Sequence, residues 1–331
     1  MTLRRILRRG LVLLVLAAAV RWTTTPAAAW NPDGHMVVAL LAYRHLTPAA
    51  RVRAGQLLKL NPLYATWIAP LPTNASAEQK RRRAFVLAGT WADDIKGMSG
   101  YLSDGTDNGN TPPATTEAGQ NIGYIDHNRH KYWHFVDTPF SDDNTATHQA
   151  ATPNVLTQIA VLRDALAAPG TSDNIKSYDL VWLIHLVGDI HQPLHAAARF
   201  RHNDADGDNG GNDVHLHCPQ QMQCASNLHS EWDGILGNTH DLGAITTLAT
   251  TLDGRPVPPG ADVAIIDTWA AESLDLAKSD VYKDRGGQAL GDPDATLDAA
   301  YVANAKSVAE IRVILAARRL AALINGALGT T

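Results

Sequence analysis

The chain has 331 residues, 45% of them hydrophobic, a formal charge of −5 and only two cysteines, Cys218 and Cys224. That length supports a sizeable core in one or two domains, and two cysteines in one short segment exclude a scaffold held mainly by disulfides. An acidic balance repels polyanions, so a phosphate-bearing partner would have to be attracted locally, by bound cations or a small basic patch.

Residues 1–29 read as a signal peptide that is removed. Arg4, Arg5, Arg8 and Arg9 form a basic start, residues 11–20 an apolar run too short to span a bilayer, and Ala27-Ala28-Ala29 a small-residue cleavage site before Trp30. The expectation is a protein that is secreted or periplasmic, with one domain over residues 30–331. Loss of the leader's five arginines would take the formal charge from −5 to −10. Export permits a small loop disulfide between Cys218 and Cys224.

The mature start leads into an apolar helix over residues 36–43, with Asp33 as its expected N-cap. Thr47-Pro48 opens a second helix to about residue 60, proline being tolerated in a first turn. A third helix is expected over 76–96, its Lys80-Arg81-Arg82-Arg83 cluster read as a solvated face. Composition then turns to Gly, Asp, Asn, Thr and Pro over 97–128, a long loop that returns to the core at an aromatic segment, 132–139. Thr152-Pro153 is expected to cap a helix to residue 168.

The next stretch organises the chain. An apolar run from about residue 178 reads as a buried helix carrying His185 and Asp189, and Pro193 stops it, so that His195 lies on a new backbone direction. Residues 199–227 form a second irregular stretch rich in aspartate. A calcium loop is excluded there, because no glycine sits at the sixth position and no glutamate closes the twelfth. Ser226 is expected to cap a helix bearing His229 and Asp233, and further helices are expected over 263–284, 297–303 and 305–327. No convincing alternating strand is found. The expected fold is all-α, a single-domain helical bundle with two long loops near one end.

His185 and Asp189 lie four residues apart, as do His229 and Asp233, so each pair shares a helix face. A buried helix does not take an ionised aspartate unless the charge is paired or bound to metal, and imidazole and carboxylate are ligands that zinc accepts. Two helices presenting such pairs to a common space make a metal site in a bundle core. His35, His134 and His195, with Asp93, complete the candidate set. His191, inside the central motif, reads as a supporting residue.

Several segments together carry a resemblance: Trp30 with Gly34-His35, Trp91-Ala92-Asp93, Trp133-His134-Phe135-Val136-Asp137, the 185–195 motif His-x-x-x-Asp-x-His-Gln-Pro-Leu-His, Gly210-Gly211-Asn212, and Leu228-His229 with Trp232-Asp233. In this order they resemble the trinuclear-zinc, single-strand-specific nucleases of fungi, plants and bacteria, which share a superfamily with bacterial zinc-dependent phospholipase C. Later segments at 267–273 and 318–325 are also similar.

The resemblance implies three zinc ions. One would take Asp93, His134, His185 and Asp189. A second would take His195, His229 and Asp233. A third would take His35, Asp189 as a bridge, and Trp30 through its free amine and carbonyl oxygen, an amine that exists only after cleavage at Trp30. The implied activity is hydrolysis of the P–O3′ bond of single-stranded DNA and RNA, giving 5′-phosphorylated products, with 3′-mononucleotides as further substrates. Asp189 would act as a catalytic bridge and Asp137 would orient the attacking water. Phe135 would stack a base and Asn212 would bind the same nucleotide. Lys96 stands where the family usually has arginine; it keeps the charge but loses a bidentate phosphate contact. A phospholipase C is the alternative reading. A purely structural zinc protein is disfavoured, because structural sites are closed whereas this ligand set leaves positions open for water.

Overall fold

The computed structural model describes residues 30–219, 222–291 and 294–329, so the leader expected over 1–29 lies outside the described residues. Eleven α-helices occur among the described residues: α1 (Pro32–His45), α2 (Pro48–Leu58), α3 (Tyr64–Ile68), α4 (Ala77–Ala88), α5 (Trp91–Gly97), α6 (Val155–Ala167), α7 (Asp173–Asp189), α8 (Leu228–Gly234), α9 (Leu242–Asp253), α10 (Ile266–Leu276) and α11 (Ala299–Leu328). The fold is the all-α arrangement expected. The strands escaped the sequence reading. Pro139–Ser141 pairs in parallel with Ala198–Phe200, and His215–His217 with Asp294–Thr296. Three-residue strands are too short for alternation to register in a sequence.

The fold is centred on α7. Residues 176–189 are all buried, polar ones included. The helix shows no one-sided stripe because neighbours cover it all round: α1, α2, α5, α6 and α11 all pack on it. Burying each of its aliphatic side chains contributes about 1.5–3 kcal/mol, which offsets the cost of bringing histidine and aspartate into the same core. A second apolar cluster, with Leu194, Leu228, Trp232, Tyr282 and Tyr301, lies beside the main one. Cys218 and Cys224 form a disulfide. No helix among the described residues is long and apolar enough to cross a membrane.

Several boundaries differ from expectation, each for a local reason. Asn31, not Asp33, caps α1, accepting from Gly34 N at 3.3 Å. Asp33 sits inside the first turn, where its carboxylate accepts from the Thr239 and His240 amides at 2.7 and 2.8 Å. Asn154 rather than Thr152-Pro153 caps α6, its side chain accepting from the Leu156 and Thr157 amides. Ser172 caps α7, which begins at Asp173, five residues before the expected Tyr178. Asn227 rather than Ser226 caps α8. The helix expected over 263–284 is shorter, Ile266–Leu276, running on into a π-helical turn, Ala277–Val281. The segments expected at 297–303 and 305–327 are one helix of 30 residues. Asn304 does not break it, because its amide donates to Asp280 Oδ1 at 2.9 Å.

Two departures shape the site. The helix expected over 76–96 is broken at Gly89-Thr90 into α4 and α5. A side chain at Gly89 would come within 3.2 Å of the His35 carbonyl oxygen, so α4 can pass close to α1 only without one. Helix α7 ends at Asp189, and Pro193 instead opens a 3₁₀ turn, Pro193–Ala196. The turn between them is clamped from below. Arg319 Nη1 donates to His191 Nε2 at 2.8 Å and to Glu272 Oε2 at 2.7 Å, Arg312 Nε donates to the His191 carbonyl at 3.1 Å, and Ser273 Oγ donates to the Ile190 carbonyl at 2.6 Å. His191 Nδ1 is 2.7 Å from the Val187 carbonyl, so both ring nitrogens are engaged in holding the turn.

Candidate metal centre

Three side-chain groups converge beneath the two long loops: His35 with His185 and Asp189, Asp93 with His134 and His185, and His195 with His229 and Asp233. In each, the potential ligand atoms all lie within 4.8 Å of one another. Helix α7 contributes to two of them. His185 Nδ1 donates to the Gly89 carbonyl at 2.7 Å, a group freed by the break between α4 and α5. That bond places the lone pair on His185 Nε2, which sits 3.0 Å from His134 Nδ1, 3.3 Å from Asp189 Oδ2 and 3.6 Å from Asp93 Oδ1. His134 Nδ1 is 3.0 Å from Asp189 Oδ2, and His35 Nε2 is 3.3 Å from Asp189 Oδ1. The His35 ring stacks on His185 with centroids 3.8 Å apart.

The third group lies beyond the turn. His195 Nδ1 donates to the His134 carbonyl at 2.9 Å and His229 Nδ1 to the Gly210 carbonyl at 2.8 Å. Both Nε2 atoms therefore carry lone pairs, yet they face each other at 3.1 Å. His229 Nε2 is 3.4 Å from Asp233 Oδ2. Gln192 Nε2 donates to Asp233 Oδ1 at 2.7 Å and orients that carboxylate.

These groups fit a bound cation and little else. Burial holds His35, His134 and His195 well below the usual histidine value and puts His185 and His229 at about 4, so the rings are neutral. Burial pushes Asp189 and Asp233 well above the usual carboxylate range, with the Asp93 charge adding to both. Both His35 ring nitrogens, His134 Nε2, Asp93 Oδ2 and Asp189 Oδ1 are buried without a hydrogen-bond partner. Facing lone pairs repel and buried carboxylates are costly unless a positive charge sits among them. The donor set, imidazole and carboxylate with backbone carbonyls fixing each tautomer, is one that suits zinc.

Trp30 is fully buried and its indole donates to the Gly188 carbonyl at 3.1 Å. A side chain at Gly188 would press on His35 Nδ1 at 3.1 Å, so glycine there eases the close approach of His35 to α7. The Asn31 amide donates to the Asp233 carbonyl at 3.0 Å, which joins the start of the described chain to α8.

Above these groups opens a cavity of about 860 Å³ whose lining includes His134, His195 and His229. Lys96, Phe135, Asp137 and Asn212 line it as well. Residues 30–329 match the protein-family model described as S1/P1 Nuclease. The chain belongs to the S1/P1 nuclease family. Among curated proteins it is similar to three from Arabidopsis thaliana. Endonuclease 5 is 28% identical over 48% of this chain and 55% of its own length. Endonuclease 3 is 28% identical and Endonuclease 4 is 26% identical, each over 58% of this chain and 68% of the relative. Membership makes the protein a hydrolase acting on phosphodiester bonds.

Within this S1/P1 nuclease family chain, the eight side chains expected as ligands fall into the three groups, and Trp30 packs beside α7 next to them. The expected substrate residues are placed less uniformly. Phe135 is partly exposed in the cavity wall. Asn212 donates its amide to the Asn209 carbonyl at 2.8 Å. Lys96 lines the cavity, but its ammonium donates to Asp93 Oδ1 at 2.7 Å, so it also holds an expected ligand. Asp137 keeps some solvent contact, yet the surrounding protein and then the Asp208 charge push it up to about 7. The sequence reading missed Gln192, although a polar residue between two ligand positions was a signal, and it missed the carbonyls of Gly89 and Gly210, which carry no side-chain signal.

Proposed function

We propose that this family member is a zinc-dependent nuclease that hydrolyses single-stranded DNA and RNA at the P–O3′ bond, leaving 5′-phosphorylated products, and that it also dephosphorylates 3′-mononucleotides. The observation that carries the reading is the facing of His195 and His229 Nε2 at 3.1 Å in the wall of an open cavity, with two further His/Asp groups in the structure, one of which reaches the same cavity through His134. His35, Asp189 and the Trp30 amine and carbonyl would hold one zinc, Asp93, His134, His185 and Asp189 another, and His195, His229 and Asp233 the third. When bound, zinc supplies Lewis acidity, which brings the pKa of a coordinated water to about 7 and offsets charge on the leaving oxygen.

The chain's own residues do the rest. Asp137 accepts a hydrogen bond from the attacking water and orients it toward phosphorus. Phe135 offers a stacking face, which needs an unpaired base and tolerates any base identity. Asn212 contacts the same nucleotide, and Lys96 holds the Asp93 carboxylate in position. We further propose that residues 1–29 direct export, that the mature chain begins at Trp30, and that residues 30–331 form one domain.

The test uses mature protein with single-stranded DNA, duplex DNA and phosphatidylcholine, with and without chelator. Single-stranded DNA should be cut, chelator should abolish cutting, and added zinc should restore it. Release of phosphocholine without nucleotide release would instead select the phospholipase C reading. Asp137→Asn should lower kcat by about a hundredfold or more. Burial puts Asp137 at about 7, and cations nearby would pull it lower. The carboxylate is the working form, so activity of the zinc-loaded enzyme should fall as pH drops through that lowered value, and that acid limb should vanish in the variant's rate profile.

A further inference from the structure

With cations bound at its floor, the cavity would carry opposite charges at its floor and its rim. The lining includes His134, His195 and His229 of the metal-binding groups, and His134 has a buried, unpartnered Nε2. Around it the lining is acidic: Asp107 comes from the 97–128 loop, and Asp204, Asp206 and Asp213 from the second loop. Two lysines line the same space, and both are engaged within the protein. Lys96 donates to Asp93 Oδ1 at 2.7 Å and Lys131 donates to the Asn108 carbonyl at 2.8 Å. Asp107, Asp206 and Asp213 are solvent-exposed. Asp107, Asn108 and Asn209 all have φ near +50°, a conformation that Asp and Asn enter more readily than most residues.

A groove built to follow a long strand lines the backbone path with lysine and arginine. This cavity does the reverse. One phosphate at the floor would be attracted, whereas phosphates on either side of it would lie against carboxylates. At about 0.1 M salt the screening length is about 10 Å, so within the cavity that repulsion is only partly screened. We propose that the acidic rim makes this enzyme selective for substrates with a single phosphate at the reacting position, nucleoside 3′-monophosphates and the ends of short oligonucleotides, over long single strands. The proposal rests on the nuclease reading above.

The experiment compares a nucleoside 3′-monophosphate with a long single-stranded homopolymer of the same base, using zinc-loaded mature protein and NaCl raised from about 20 to about 200 mM. The mononucleotide should have the higher kcat/KM per scissile phosphate. The polymer's KM should hold steady or fall as salt rises, the opposite of a basic groove. The double variant Asp107→Asn/Asp206→Asn should raise the polymer-to-mononucleotide ratio of kcat/KM by about fivefold and weaken the salt effect. Both sites are exposed, so the variant is expected to fold, and the wild-type salt response stands on its own. A polymer KM that climbs steeply with salt, near the slope of about 0.7 per neutralised phosphate, overturns the proposal. So does a ratio that the double variant leaves unmoved. Absence of hydrolysis of both substrates would instead bring down the nuclease reading and this inference with it.

Discussion

Asp189→Asn should all but abolish activity, with kcat/KM falling by at least about a thousandfold. Asp189 is the carboxylate that borders His35 at 3.3 Å through Oδ1 and His134 and His185 at 3.0 and 3.3 Å through Oδ2. His185 is the other side chain common to the groups that contain His35 and His134. Asparagine keeps the shape but removes the charge and turns an N–H toward one of the two neighbours. The zinc-loaded variant should therefore lose at least one equivalent of metal, measured by elemental analysis.

Stability should move the other way when metal is removed. Burial raises the Asp189 pKa in the folded state, so the ionised carboxylate opposes folding of the metal-free chain. That cost is absent in acid, where the group is protonated in both states, and grows as pH rises above the unfolded value of about 3.9. Metal-free Asp189→Asn protein should melt at or above wild type near neutral pH, with the difference shrinking toward pH 4. Full zinc content and activity in the variant would refute the assignment. A metal-free variant that melts far below wild type would show that Asp189 is chiefly structural.

Residues left in front of Trp30 should cost the enzyme one zinc and at least about a hundredfold in activity. An amine has a lone pair to give a metal; the same nitrogen in a peptide bond does not. Trp30 is placed for such a role by interactions that do not depend on the metal: its ring is buried, its indole donates to the Gly188 carbonyl at 3.1 Å, and Gly188 directly precedes Asp189. The comparison is between protein processed to begin at Trp30 and protein retaining two extra residues, with metal content and activity measured on both. Equal zinc and equal rates would mean that the terminal amine is not a ligand. Circular dichroism separates this effect from misfolding, since the helices should be the same in both.

Two His/Asp pairs of the site could be read from local pattern alone. An apolar run that admits His185 and Asp189 one turn apart, and a second helix with His229 and Asp233 at the same spacing, announce ligands because the period of a helix is short and contained in a few residues. Trp30, His35, Asp93 and His134 were picked out by the company they keep in a known family rather than by periodicity. Most of the helices followed from apolar pattern, although α3 and α9 were not expected, while their ends depended on which of two neighbouring polar residues reached a free amide, as with Asn31 against Asp33.

Tertiary structure decided what no window of sequence contains. The break at Gly89 looks local, but its use is long-range: it frees a carbonyl to fix the tautomer of His185, 96 residues away. The acidic rim exists only because two loops, about a hundred residues apart in the chain, close on one cavity. Hydrogen-bond direction and summed charge depend on distance in space, and sequence spacing reports that distance only within a single helix or strand.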